Sequence, residues 1–129
     1  MVKKMKIALC QTTVHKDWRK NLRNAERVIA EAVKAKADMV VLPEMFVCPY
    51  NKKAILSAAQ PEGGEAWQSM AEAAQKNHVY LAAGSIPESE DGHIYSTCWI
   101  FDREGKQIGK YRKMHMFDID VEGGQYYNE

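Results

Sequence analysis

Glu44 is the residue whose position most suggests chemistry. It follows a short apolar run and a proline in the segment LPEMF (Leu42–Phe46). Ligands of open α/β sheets bind beyond the carboxyl ends of the strands, so a carboxylate directly after this run is well placed to contact a bound ligand. The apolar neighbours Leu42, Met45 and Phe46 predict a desolvated carboxylate, and desolvation raises a carboxyl pKa toward the range of a general base. The alternative is that Glu44 only caps a loop.

Lys113 is the second candidate, in the segment YRKMHMFD near the end of the last predicted strand. A buried lysine can stabilise a developing oxyanion as a fixed point charge. Lys110 and Arg112 lie close to it in the sequence, and a basic cluster of this kind is also typical of a solvated surface. Both interpretations stay open from the sequence.

Three cysteines and four histidines are the other residues that can act as nucleophiles or metal ligands. Cys10 and Cys98 fall in predicted strands and are expected to be small core residues. Cys48 follows Glu44 by four residues, which would allow a thiolate beside a base, although a buried, inert thiol is the simpler interpretation. The histidines are scattered without ligand spacing, so no metal site is predicted. No nucleotide-binding glycine pattern is present, and no cofactor is expected.

The elements that must position these residues alternate between strands and helices. Strands are predicted over Lys6–Thr12, Met39–Leu42, Val79–Ile86, His93–Phe101 and Gln107–Met114, and helices over Asp17–Ala35, Lys52–Ala59 and Glu65–Asn77. This order predicts an α/β fold with a mixed β-sheet.

Local signals refine this assignment. Asp17 is the predicted N-cap of the first helix, Asn77 the predicted C-cap of the last, and Asp91-Gly92 a hairpin turn. Met39–Leu42 is apolar throughout, which predicts that both its faces are buried. From Asp118 onward the pattern fades into a polar, glycine-containing segment.

Composition excludes several classes of protein. The 129 residues are 46% hydrophobic and 27% charged, with a net charge of +1, as in an ordinary globular domain. The near-neutral balance argues against nucleic acid as the main partner. No apolar run approaches the ~18 residues of a spanning helix, so no membrane partner is predicted. With no export signal and an odd number of cysteines, we expect reduced thiols and a cytoplasmic location.

Three segments together resemble the nitrilase superfamily of carbon–nitrogen hydrolases, and in particular its omega-amidase branch. They are LPEMF (Leu42–Phe46), AGSIPE (Ala83–Glu88) and YRKMHMFDID (Tyr111–Asp120), and the strands KIALCQ and IYSTCWIFD and the loop FVCPY also fit. The resemblance extends in order from about Lys6 to the last residue. It implies an α/β fold that is half of a four-layer αββα sandwich, with residues 1–129 as the N-terminal half of a single hydrolase domain.

The resemblance also implies a catalytic set composed of a glutamate base, a lysine, a second glutamate and a nucleophilic cysteine. By motif match, the base corresponds to Glu44, the lysine to Lys113 and the second glutamate to Glu129. The implied reaction is hydrolysis of a non-peptide carbon–nitrogen bond through a cysteine thioester. A small omega-amide is the favoured substrate, and N-carbamoyl compounds and nitriles remain open.

Partners and pocket residues follow from the same resemblance. Tyr50, Met114 and His115 are candidates for shaping the substrate cavity, with loop packing as the alternative role of each. The partner is then a small-molecule amide, and a complete family member is expected to form a homo-oligomer, most simply a dimer.

The cysteine is where the chain departs from the family pattern. In the family it lies well beyond the lysine, on a later strand-to-helix turn, and Cys10, Cys48 and Cys98 do not match that position. We therefore expect a truncated N-terminal half that is inactive alone. The alternatives are a non-catalytic binding or assembly module, one chain of a split enzyme, and a generic α/β small-molecule binding domain.

Overall fold

The computed structural model describes residues 4–113, 117–119 and 125–127. Their elements, in chain order, are β1 (Ile7–Leu9), α1 (Trp18–Lys34), β2 (Met39–Val41), α2 (Lys52–Ala58), α3 (Glu65–Asn77), β3 (Tyr80–Glu90), β4 (His93–Phe101), β5 (Gln107–Arg112), β6 (Phe117–Ile119) and β7 (Gln125–Tyr127). Strands β1, β2 and β3 pair in parallel, whereas β4 pairs antiparallel with β3, β5 and β6. The predicted α/β fold with a mixed sheet is confirmed.

The helices form where local signals place them. Asp17 caps α1, and its carboxylate accepts a hydrogen bond from the Arg19 backbone N–H at 3.0 Å. Helix α3 has the predicted bounds, but Asn77 is not its C-cap. His78 takes that position with a left-handed φ of 51°, and the Asn77 side chain instead donates to the Ala73 carbonyl at 2.8 Å. The side chain of Asn77 thus satisfies a carbonyl within the last turn, and the left-handed residue that ends the helix is His78.

The sheet buries one face against α1 and α3 and leaves the other open in the described part of the chain. Val40, Leu81 and Phe101 are completely buried among the helices. On the opposite face, Leu9 is 79% exposed and Tyr111 is 66% exposed. One helix layer on one sheet is the arrangement that half of an αββα sandwich requires.

The open face overturns the prediction that both faces of Met39–Leu42 are buried. Val40 is buried, but its neighbours Met39 and Val41 are only half-buried. The continuous apolar run is therefore covered on one side by the helices, and within the described residues nothing packs fully on the other side.

Several strand boundaries also differ from the predictions, and β1 spans only Ile7–Leu9 where Lys6–Thr12 was predicted. Strand β3 extends to Glu90 because the Asp91-Gly92 turn, with φ values of 50° and 78°, lets Glu90 pair directly with His93. The segment from Asp118 was expected to have no regular structure, yet it contains parts of β6 and β7, which pair with each other. Each of these strands is three residues long, which is too short for an alternating apolar pattern to predict.

No helix among the described residues has both the length and the apolar character that crossing a lipid bilayer demands.

Asn21 joins α1 to the loop that follows β2. Its buried side-chain amide donates to the Val47 carbonyl at 2.7 Å and to the His15 carbonyl at 2.8 Å, and its oxygen accepts the His15 N–H at 2.8 Å. A buried side-chain amide stabilises the fold when all of these hydrogen bonds are formed, because a buried polar group without a partner costs free energy. Asn21 therefore anchors the loop after β2 to the helix layer.

Glu88 ties β3 to β5 across the intervening β4. This carboxylate is 1% exposed and accepts hydrogen bonds from Thr97 Oγ1 at 2.8 Å, Lys110 Nζ at 2.8 Å and Arg112 Nε at 2.9 Å. Burial opposes its ionisation, but the hydrogen bonds from Arg112, Lys110 and Thr97 outweigh burial and hold the pKa of Glu88 below its usual range. Glu88 is therefore a charged, fully paired group inside the sheet.

We predict that Asn21→Ala lowers the free energy of unfolding by about 2–3 kcal/mol, because it leaves buried backbone groups without partners. Urea unfolding measures the loss. The matched control is Asn24→Ala on the same helix, where the side chain is half-buried. Equal effects of the two substitutions would contradict the anchoring role.

We predict that Glu88 makes the stability acid-sensitive. Its pKa is lower in the folded state than in the unfolded state, so its stabilisation is complete above the unfolded value of about 4.3 and is lost as the pH falls through the folded pKa. Glu88→Gln should cost about 3 kcal/mol at pH 7, the low end for a broken buried ion pair, because Lys110 and Arg112 keep some contact with water.

Urea unfolding between pH 7 and pH 3 tests this prediction, with Glu72→Gln on the exposed face of α3 as the control. The free energy of unfolding of Glu88→Gln should depend less on pH than that of the wild type. An unchanged pH slope would show that other carboxylates cause the acid sensitivity.

Candidate active site

The loop after β2 begins as a continuation of the sheet. Leu42 N–H donates to the Ala82 carbonyl at 3.1 Å, which extends the β2–β3 pairing by one residue. Pro43 then ends the strand, and Met45, Phe46 and Val47 turn their side chains into the core. Glu44 is left at the carboxyl edge of the parallel strands, where α/β folds place their ligands.

The Glu44 carboxylate itself is open to solvent, with 58% of its side chain exposed. The expected desolvation by Leu42, Met45 and Phe46 is therefore wrong for this chain. Those three side chains pack inward against the core, so they hold the backbone of the loop and do not cover the carboxylate.

Lys113 lies at the same edge of the sheet as Glu44, although it follows β5 and not β2. Its N–H donates to the Ser96 carbonyl at 2.9 Å, directly after β5 ends at Arg112. Its Nζ lies 3.5 Å from Glu44 Oε1, and its side chain is 35% exposed. The structure thus brings together two candidates that are 69 residues apart in the sequence.

Strand alternation separates Lys113 from the other basic residues of its cluster. Lys110 and Arg112 bind the buried Glu88, whereas Tyr111 and Lys113 line a cavity on the open face of the sheet. Successive side chains of a strand point to opposite faces, so neighbours in the sequence have different surroundings. The basic cluster is therefore two separate groups in space.

Two cavities meet at Glu44 and Lys113, which line both of them. The first has a volume of about 330 Å³ and is otherwise lined by Val41, Leu42, Ala82, Gly84, Ser85, Ser96, Cys98 and Tyr111. The second has a volume of about 310 Å³ and is otherwise lined by Val14, Met45, Cys48, Pro49 and Tyr50. Mostly apolar walls around a few charged and polar groups are typical of a small-molecule site.

The other candidate residues fall in different places. Tyr50 is an exposed residue in the wall of the second cavity, next to Glu44 and Lys113. Met114, His115 and Glu129 lie outside the described residues, so their roles stay predictions.

The cysteines are poor nucleophiles in this environment. Cys48 is 2% exposed, and burial raises the pKa of its thiol to about 11. Burial also raises the pKa of Cys10 and of Cys98. A thiol with a raised pKa is almost entirely protonated at neutral pH and attacks slowly.

Cys98 does not lie in the core, contrary to expectation. It is half-buried in the wall of the first cavity because its side chain points to the open face of β4. Cys10 is partly buried and packs against the core. In the described part of the chain, no group of three or more metal-ligating side chains comes together.

Sequence reasoning missed Ser85 and Ser96. Both hydroxyls are buried beneath the loop that carries Glu44, and Ser85 Oγ accepts the Met45 N–H at 3.0 Å. The available signal was a small polar residue inside each of two predicted strands, because a hydroxyl that a strand buries needs a partner.

Known proteins resemble this chain in sequence and in fold. The family model of the carbon–nitrogen hydrolases matches residues 6–129. Omega-amidase NIT2 of Homo sapiens is 40% identical over 118 residues, which cover 92% of this chain and 43% of that protein. A hydrolase of Schizosaccharomyces pombe is 39% identical over 126 residues, covering 96% of this chain and 39% of that protein.

A solved structure shows the same fold. Nit3 of Saccharomyces cerevisiae, a member of branch 10 of the nitrilase superfamily, matches with a TM-score of 0.76 at 32% identity. The match covers 86% of this chain and 44% of that one, so the chain spans less than half the length of each of these relatives. The fold, the family model and the identity over nearly the whole chain together show that this chain belongs to the carbon–nitrogen hydrolase family of the nitrilase superfamily.

Proposed function

We propose that this chain supplies the general base and the oxyanion-stabilising lysine of an amidase that hydrolyses small omega-amides to an acid and ammonia. The observation that carries the proposal is the 3.5 Å approach of Lys113 Nζ to Glu44 Oε1 where two cavities meet. The resemblance to omega-amidases of about 40% identity supports this substrate class.

The proposed reaction is covalent. Glu44 takes the proton of a cysteine thiol, and the thiolate attacks the amide carbonyl carbon while Lys113 stabilises the oxyanion. The tetrahedral intermediate collapses, the carbon–nitrogen bond breaks, and ammonia leaves with the proton that Glu44 returns. A water molecule deprotonated by Glu44 then attacks the thioester and releases the acid and the free thiol.

The nucleophile of this proposal is not one of the three cysteines of the chain. Cys48 has a pKa of about 11, and burial also raises the pKa of Cys10 and Cys98, so none is a ready thiolate. The family pattern has its cysteine beyond the lysine. We therefore infer that the thiol comes from a later segment, and "complete enzyme" below means this chain together with that segment.

The remaining roles complete the proposal. Glu129 is the second glutamate, and Tyr50, Met114 and His115 contact the substrate. We also propose that the complete enzyme is a homo-oligomer, most simply a dimer, and acts in the cytoplasm.

In the complete enzyme, Glu44→Gln should lower kcat about 10²–10⁴-fold, because the general base is lost. Lys113→Met should lower kcat about 10²–10³-fold, because a preorganised charge on the oxyanion is lost. The measurement is ammonia release from monoamides of four- and five-carbon dicarboxylic acids. Glu104→Gln and Lys106→Met, exposed charges in the turn before β5, are the matched controls. Activity of either active-site variant within about threefold of the wild type would contradict its assigned role.

A second experiment tests the source of the thiol. The chain expressed alone should release no ammonia from these amides, and addition of the C-terminal segment of an omega-amidase relative should restore turnover. Turnover by the chain alone that disappears in Cys48→Ala or Cys98→Ala would instead place the nucleophile within these 129 residues.

A further inference from the structure

Ser85 lies at an irregularity of the sheet directly beneath the loop that carries Glu44. Strands β3 and β4 pair regularly up to Ala83 and again from Ile86, and the register shifts between these two residues. A bulge redirects the side chains of the residues within it. Gly84 permits the close approach of the strands there, because an added Cβ would lie 2.5 Å from Cβ and Sγ of Cys98.

The redirected Ser85 hydroxyl holds the peptide bond that follows the proposed base. Ser85 Oγ accepts the Met45 N–H at 3.0 Å, in a buried position. That N–H belongs to the peptide between Glu44 and Met45, so the bond restricts the ψ angle of Glu44. Met45 has a φ of 49°, a left-handed conformation that a side-chain-bearing residue keeps only where its surroundings enforce it.

Ser96 completes the connection to Lys113. Its hydroxyl donates to Ser85 Oγ at 2.7 Å, and its carbonyl accepts the Lys113 N–H at 2.9 Å. A hydroxyl oxygen has two acceptor lone pairs, and Met45 and Ser96 together occupy both lone pairs of Ser85. A short buried path of hydrogen bonds thus joins the backbone at Glu44 to the backbone at Lys113.

We propose that Ser85, held by Ser96, is a positioning residue that fixes the orientation of Glu44 relative to Lys113. The proposal rests on the proposed function for the role of these two groups, and the geometry carries the rest. Ser85 also lines the first cavity, and in this proposal it acts on the reaction through the Glu44–Met45 peptide. A misplacement of about 1 Å of a reacting group is enough to lower a rate about 10²-fold, so a small loss of restraint is measurable.

The test compares Ser85→Ala, Ser96→Ala and Ser85→Thr in the complete enzyme, with Ser89→Ala on the same strand as the control. We expect Ser85→Ala to lower kcat about 10- to 100-fold with little change in KM. Ser96→Ala should lower kcat less, because the Met45–Ser85 bond remains. Ser85→Thr retains the hydroxyl and should recover kcat to within about threefold of the wild type, as should Ser89→Ala.

A different result is expected if Ser85 and Ser96 only stabilise the fold. In that case kcat would fall only in proportion to the folded fraction, measured by thermal unfolding, and the loss would vanish below the unfolding transition. That result, or wild-type kcat in both Ser85→Ala and Ser96→Ala, would overturn the proposal. If Ser85→Ala does not fold, the kcat values of Ser96→Ala and Ser85→Thr decide by the same criteria.

Amide hydrogen exchange separates this inference from the proposed function. The Met45 amide should be protected in the wild type and in Ser89→Ala and should exchange at least tenfold faster in Ser85→Ala. This readout needs no turnover, so inactivity of the wild type toward amides would refute the proposed function alone. Unchanged protection of Met45 in Ser85→Ala would refute the positioning role whatever the activity.

Discussion

The candidate site depends on the two ways in which β3 pairs. Strand β3 pairs in parallel with β2 on one side and antiparallel with β4 on the other. Strand β5 also pairs antiparallel with β4. Strands β2, β3 and β5 therefore point in the same direction. Strand β2 ends opposite Ala82 of β3, and β5 ends opposite Thr97, which itself pairs with Ile86 of β3, so the carboxyl ends of β2 and β5 both lie beside the middle of β3. Glu44 follows β2 and Lys113 follows β5, so this pairing alone brings together residues that are 69 positions apart.

The open face of the sheet explains the exposure of the site. Helices α1 and α3 cover one face, and the Glu44–Lys113 pair lies on the other, with side chains 58% and 35% exposed. An ion pair this exposed contributes little to stability, and water weakens the electrostatic interactions on which the proposed chemistry depends. Under our proposal, the later segment of the complete enzyme covers this face, excludes water and adds the thiol.

The two faces of the same strands have different roles. Toward one face, the buried Glu88 carboxylate binds the partly exposed Lys110 and Arg112 and stabilises the pairing of β3, β4 and β5. Toward the other face, Ser85 and Ser96 use their hydroxyls to hold the backbone beside Glu44. The strands that carry the proposed chemistry are thus fastened together by polar contacts on both sides.

The sequence by itself determined the elements whose signals are local. Helix α1 with its Asp17 cap, the bounds of α3 and the Asp91-Gly92 hairpin follow from spacing and turn chemistry within a few residues. Three motifs also identified the family and marked Glu44 and Lys113. The roles of Glu129, Met114 and His115 stay predictions.

Only the tertiary structure decided the features that depend on distant residues. The exposure of Glu44, the half-buried state of Met39 and Val41, and the separation of Lys113 from Lys110 and Arg112 all depend on which face the helices cover. The hydrogen bonds of Ser85 to Met45 and Ser96 depend on a register shift between two strands. A sequence pattern reports the local conformation and burial that a residue favours, whereas these contacts are set by strand register and by the direction in which each side chain then points.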